Sequence, residues 1–329
     1  MKKIFSFILC VAMLLSIGCN KNEPETPVVT PTPETYTAVD IKVGALIGPT
    51  GMGMSKLMDD SKNNKTANNY EFELFSAPTD ITGLIINGEL NIAAVPTNLA
   101  ATLYNKTKGN VKLLALNTLG VLYILEKGDT VNSIKDLEGK KIYSSGQAAT
   151  PQYALDYVLK QNNVNCEVEY FATHAELATQ ALAGNADIIL IPEPQVSTIL
   201  SKNSDFRIAV DFNAAWNEAT NNESLFSMGC LVVRKDFADK NPEAVEKFLE
   251  EYTASVKFVN ENPKDGAKLI AENKIVPNQA VAEKAIPNAK MVTISGDEMK
   301  EKTKPYLQIL FDSDPKSIGG ALPGEDFYY

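Results

Sequence analysis

Leu90-Asn91-Ile92-Ala93-Ala94-Val95-Pro96-Thr97-Asn98 has a second copy in Ala186-Asp187-Ile188-Ile189-Leu190-Ile191-Pro192-Glu193-Pro194, at an offset of 96 residues. In each copy an apolar run of strand length is stopped by a proline. In the first, Thr97-Asn98 then opens a helix. Working outward, the same offset pairs the strand-like Glu71-Phe72-Glu73-Leu74-Phe75 with Glu167-Val168-Glu169-Tyr170-Phe171. It also pairs Gly88 with Gly184, and the loop Gly48-Pro49-Thr50-Gly51 with Ser144-Ser145-Gly146-Gln147. Upstream, Ile41 to Leu46 reads as a strand, and a helix from Met54 sets Met54, Leu57, Met58 and Ser61 on one face. Asp80 reads as the N-cap of the next helix and Gly88 as its stop.

A unit of this length is too long for a solenoid repeat. Strands alternating with helices predict an α/β chain of two similar lobes, each with a mainly parallel sheet. Such folds gather the loops after their strands at one edge, where ligands bind. The second copy begins near Asn132 and ends near Asp211, and Phe226 to Val233 reads as a further strand. The expected organisation is a first lobe of 38–130 plus 227–329 and an inserted lobe of 131–226. Two crossings, near 118–131 and 224–234, would form the hinge.

The start of the chain reads as an export signal. Lys2 and Lys3 precede an apolar run from Ile4 to Ile17, shorter than the roughly 20 residues that span a bilayer. Leu15-Ser16-Ile17-Gly18-Cys19 resembles the lipobox of bacterial lipoproteins, with leucine one place further from the cysteine than usual. The resemblance implies a signal peptide over 1–19, lipidation of Cys19 and a protein held outside the cytoplasm at a bacterial membrane. Residues 20–37, rich in Pro and Thr, cannot bury a core and suit an extended tether.

The formal net charge of −10 argues against nucleic acid as a partner. Cys166 and Cys230 remain as a disulfide pair or two buried thiols. No Cys–His spacing suggests a metal. His174 is the single histidine and is read as a surface residue at a helix start, which removes most acid–base and nucleophilic mechanisms.

Ser133-Ile134-Lys135-Asp136-Leu137-Glu138-Gly139-Lys140-Lys141-Ile142, the Ser/Gly loop after it and the opening Thr150-Pro151 resemble the type II periplasmic binding proteins. The similarity is to their nitrate/sulfonate/taurine and thiamine-pyrimidine group. GPTGMGMSKLMDD (48–60), LNIAAVPTNLAATLYN (90–105) and IILIPEPQ (188–195) are similar to a lipoprotein branch of it. The resemblance covers residue 38 to the end. It implies a monomer that needs no cofactor, captures a small solute between its lobes, closes, and delivers the solute to an ABC transporter permease. An enzyme on the same fold, such as the menaquinone-pathway dehydratases it resembles distantly, and a ligand-presenting sensor are the competing readings.

Four helix-opening loops form the expected ligand site, because helix N-termini offer free N–H groups and partial positive charge. Thr50, Gly51 and Met52 would line the first lobe, beside a loop without the Walker lysine. Thr97 and Asn98 either contact ligand or cap their helix. Ser145, Gly146, Gln147 and Thr150 would form the second wall, with Thr150 also fitting an N-cap before Pro151. Glu193 either accepts from a ligand amine or complements a helix end. Trp216 and Tyr153 are stacking residues or core. Arginine is absent from these loops and Lys56 is the nearby cation, which disfavours a multiply charged phosphate ligand.

Overall fold

The loop edges are positioned by two mixed sheets. The computed structural model describes residues 36–147 and 149–329, of which Thr37–Tyr329 forms one compact unit. The expected signal peptide, Cys19 and the expected tether up to residue 35 lie outside the described residues. Among the described residues no helix is long and apolar enough to cross a membrane.

Eleven strands occur among the described residues: β1 Asp40–Leu46, β2 Asn69–Phe75, β3 Ile92–Pro96, β4 Val111–Leu119, β5 Leu122–Lys127, β6 Lys141–Ser145, β7 Glu167–Phe171, β8 Ile188–Pro192, β9 Phe206–Asp211, β10 Ser227–Arg234 and β11 Met291–Ile294. The first sheet runs β11-β4-β10-β3-β1-β2 and the second β7-β6-β8-β5-β9. β1 is parallel to β2 and β3, as β6 is to β7 and β8. Each sheet also carries a reversed strand inside it, β10 between β3 and β4, and β5 between β8 and β9. The halves thus share one topology, and each receives its reversed strand from a segment that crosses between them.

β5 lies before residue 131, on the first-lobe side of the boundary read from the sequence, but pairs in the second sheet. The chain changes sheet at Gly120-Val121 instead. A Cβ on Gly120 would lie 2.4 Å from Phe226 and 2.5 Å from Asn213, so the outgoing crossing packs directly on the return segment.

The 96-residue offset holds for β2 with β7 and β3 with β8 but slips at β1. Leu46 pairs with Phe75, whereas Ser145 pairs with Phe171. The first half carries three more residues between these strand ends, so Gly48–Gly51 is not the structural counterpart of Ser144–Gln147. Helix starts shift as well. Pro78–Asn87 is capped by Ala77, with Asp80 in its first turn rather than at the cap. Gly88 does end that helix, at φ 81° in the left-handed region that glycine adopts without strain. The face of helix Ser55–Lys62 read from the sequence is the packed one, since Leu57 and Met58 are buried beside Met54.

One apolar core joins the halves. Trp216, Phe226 and Tyr306 are fully buried, with Trp216 stacked on Phe226 at 5.0 Å and tilted against Tyr306 at 5.8 Å. Burial of aromatic surface on this scale contributes several kcal/mol (about 3–5 on truncation of one ring). Of the two fates open to Trp216 and Tyr153, packing is the one observed, Tyr153 also being buried. Cys166 and Cys230 are free thiols.

Candidate functional site

Parallel pairing fixes which loops share an edge. β1 and β3 end side by side at Leu46 and Pro96, and β6 and β8 end together at Ser145 and Pro192. The loops 48–54 and 96–98 therefore sit at one sheet's edge, and 145–151 and 192–194 at the other's. Two side-chain contacts bring these edges together. Thr150 Oγ1 donates to Asn98 Oδ1 at 3.3 Å, and Asn288 Nδ2 donates to Glu193 Oε1 at 3.3 Å.

The first edge is largely packing. Thr50 opens toward β4, with its carbonyl accepting from Asn117 Nδ2 at 3.1 Å. A Cβ on Gly229 would lie 2.4 Å from the Thr50 methyl group, so only glycine there lets β10 approach. A Cβ on Gly51 would lie 2.6 Å from the Leu46 carbonyl oxygen. Met52 is wholly buried in the core rather than lining a cleft. Thr97 and Asn98 open helix Thr97–Lys106, yet neither side chain caps it. Thr97 Oγ1 shares a hydrogen bond with Ser227 Oγ at 2.7 Å, and Asn98 Nδ2 donates to the Ser317 carbonyl at 3.1 Å. A cap needs a side chain that turns back onto its own helix; here both turn toward neighbouring elements.

The second edge carries the titratable groups. Ser145, at the end of β6, is buried and its Oγ lies 2.5 Å from His174 Nδ1. His174 opens helix His174–Leu182 as read from the sequence, but it is half-buried and held in place rather than a free surface residue. Burial holds its imidazole down at a pKa of about 4, so it is neutral at physiological pH. Gly146 adopts φ 81° with Pro151 packed against it, and Gln147 is exposed. Thr150 is not the N-cap. It is the first residue of helix Thr150–Gln161, behind Ala149, and its hydroxyl is 3.4 Å from Tyr306 Oη as well as reaching Asn98.

Glu193 is fully buried. Its Oε2 accepts from the Ser197 amide at 3.0 Å and its Oε1 from the Ser197 hydroxyl at 3.0 Å, which satisfies the start of helix Gln195–Lys202. Desolvation raises its carboxyl pKa, and the three hydrogen bonds it accepts oppose that rise. Tyr123, pushed up by burial and then by the charges of Asp211 and Glu193, donates to the Asn288 carbonyl at 3.3 Å. Lys290 pairs with Asp211 at 3.1 Å. Asn288, Ser197 and Tyr306 were not among the residues expected from the sequence. Asn288 and Tyr306 lie in the C-terminal part that has no repeat partner, so nothing in the 96-residue offset marks them.

Lys56, which follows the first loop, lies 3.6 Å from Asp59. The two arginines sit at the opposite sheet edges, Arg207 paired with Glu126 at 2.7 Å and Arg234 with Asp236 at 2.5 Å.

A search of curated proteins gave no match. Among solved structures, one described as an ABC transporter from Parabacteroides distasonis is 26% identical, with TM-score 0.76 over 88% of this chain and 98% of that one. The periplasmic aliphatic sulphonate binding protein of Escherichia coli is 14% identical, with TM-score 0.69 over 88% and 92%. The periplasmic nitrate-binding protein of Synechocystis is 13% identical, with TM-score 0.55 over 80% and 74%. These likenesses place the two-sheet α/β architecture with the type II periplasmic binding proteins. The profile of a family described as menaquinone biosynthesis matches residues 54–286. That match spans well over half the chain and includes β2 to β10, and the chain belongs to the menaquinone biosynthesis family.

Proposed function

We propose that this protein is a lipid-anchored solute-binding protein, held outside a bacterial cytoplasmic membrane through Cys19, that captures a small molecule and passes it to an ABC transporter permease. The observation that carries the reading is the contact between the loop edges of two similar sheets, where Asn98 meets Thr150 and Asn288 meets Glu193. Two lobes, 38–120 with 227–329 and 121–226, would part about the crossings at Gly120-Val121 and near 224–234. Ligand would favour the closed form by its greater affinity for that state. Gly51, Thr50, Thr97, Asn98, Ser145, Gly146, Gln147, Thr150 and Glu193 would line the cleft, with Met52 supporting it from the core. The likeness to an ABC transporter component over nearly the whole of that chain supports this reading.

The family description favours a second reading, an enzyme on the same fold. Against it stands the state of the single histidine, a poor base at a pKa of about 4. The test is to incubate the full chain with an extract of small metabolites, recover what binds, and identify it by mass spectrometry before and after incubation. Recovery of an unchanged solute, with small-angle scattering showing closure, supports capture. Recovery of a converted product moves the assignment to the enzyme. Release of the Cys19→Ala protein from membranes, with loss of acyl labelling, tests the anchor.

A further inference from the structure

The charge balance at the second edge points to the chemistry of the ligand. Anions bind helix N-termini because free N–H groups and the helix dipole favour negative charge there. At helix Gln195–Lys202 that seat is filled by the chain's own carboxylate, Glu193, which takes both the amide and the hydroxyl of Ser197. A second anion would meet a buried like charge. It would also find Lys290, the cation beside Tyr123, already paired with Asp211.

Glu193 itself is incompletely served within its own half. A carboxylate has about four acceptor positions. Two are used by Ser197, and a third is met by Asn288 Nδ2 at 3.3 Å, the longest of the three bonds. Asn288 follows helix Gln279–Ala285 and precedes β11, an edge strand of the first sheet. If the halves part, that donor is withdrawn from Glu193 Oε1, which keeps only the Ser197 hydroxyl. A buried acceptor that loses its donor is costly unless another donor replaces it.

Resting on the capture reading, we propose that the cleft recognises an organic nitrogen cation, an amidinium or ammonium whose N–H groups replace the Asn288 amide on Glu193. It rejects oxyanions of the sulfonate and nitrate class. The Asn288 amide is then the internal stand-in for the ligand's donor, and the two compete for one oxygen.

Calorimetry on the full chain with four probes tests this: benzamidinium, methylguanidinium, methanesulfonate and nitrate. The expected result is measurable binding of a cation and none of either anion. Glu193→Gln should weaken the cation at least tenfold. Asn288→Ala, which leaves the Glu193 cap intact, should tighten it severalfold by removing the competitor. Circular dichroism checks that both variants are folded. Anion binding without cation binding overturns the proposal and leaves the capture reading standing. Cation binding that is unchanged in Glu193→Gln, or weakened in Asn288→Ala, overturns the proposal as well. Binding of neither class overturns the proposal, and the capture reading then stands or falls on the metabolite recovery above.

Discussion

Pro96-Thr97 and Pro192-Glu193 close equivalent strands of the two sheets and each precedes or opens a helix, yet they are built for different tasks. Thr97 is neutral, and its hydroxyl is spent on Ser227 beside it in the same sheet. Glu193 is ionisable, serves its own helix, and reaches across to Asn288. The rest of each edge follows suit. Met52 and Met54 are buried packing residues, whereas Ser145 is bonded to the one histidine. One backbone frame, used twice, therefore gives a packed wall and a polar, titratable wall. The frame fixes where a residue sits, and the side chain decides whether that place does chemistry or packing.

The comparison requires that the two walls be joined by a common core, and Trp216 tests this most severely. Trp216→Ala should cost about 3–5 kcal/mol in urea denaturation, because the ring packs on both Phe226 and Tyr306. Two separate unfolding transitions of unchanged midpoint would show instead that the halves are independent.

The next effect separates the walls. Glu193→Ala removes a helix-start acceptor and the contact to Asn288, and should cost about 1–3 kcal/mol. Thr97→Ala removes one neutral hydrogen bond within a half and should cost about 0.5–1.5 kcal/mol. Equal losses would erase the distinction between the polar and packed edges.

Acid should act through the second wall. His174 has its folded pKa depressed, from 6.5 to about 4, so the unfolded chain takes up the proton first. Its contribution is full above pH 6.5, declines as pH falls through the window, and is spent below about pH 4. The slope is at most about 1.4 kcal/mol per pH unit, and less for a half-buried ring. Glu193 has its carboxyl pKa raised, so its contribution has the opposite sign and is lost as pH rises from 4.5. The difference between the wild-type protein and His174→Gln isolates the histidine. Melting curves from pH 7 to pH 4 should fall less steeply in the variant, and parallel curves would refute the neutral, half-buried imidazole.

The smallest effect concerns closure. Asn98→Ala removes one 3.3 Å contact between the edges, worth about 0.5–1 kcal/mol. It should leave the melting temperature nearly unchanged while raising the radius of gyration in small-angle scattering. A large loss of stability without expansion would mean that Asn98 serves its own half through Ser317 instead.

Much of the frame was legible before any coordinates. Pro96 and Pro192 ended strands because proline cannot continue a ladder, and Gly88 ended a helix because it alone turns left-handed cheaply. Legibility failed where local rules compete. Asp80 and Thr150 have the chemistry of N-caps, but Pro78 and Pro151 sit within the first two helical positions, so each helix begins before or at the expected cap. Thr97 and Asn98 turned from caps into tertiary contacts because nearby elements offered them partners. The offset of 96 misaligned the first loops because the three extra residues between β1 and β2 are invisible to matching at a fixed spacing.

The sequence by itself determined that this chain alternates strands with helices in two similar rounds. Periodicity, proline stops and glycine turns are local properties, written within a few residues of where they act. Only the tertiary structure decided that β5 joins the second sheet, that Met52 faces the core, and that Asn288 meets Glu193 across 95 residues of chain. Those outcomes depend on which surfaces meet when the halves close. No local pattern records that choice, because the free energy that makes it comes from burial and pairing between segments distant in sequence.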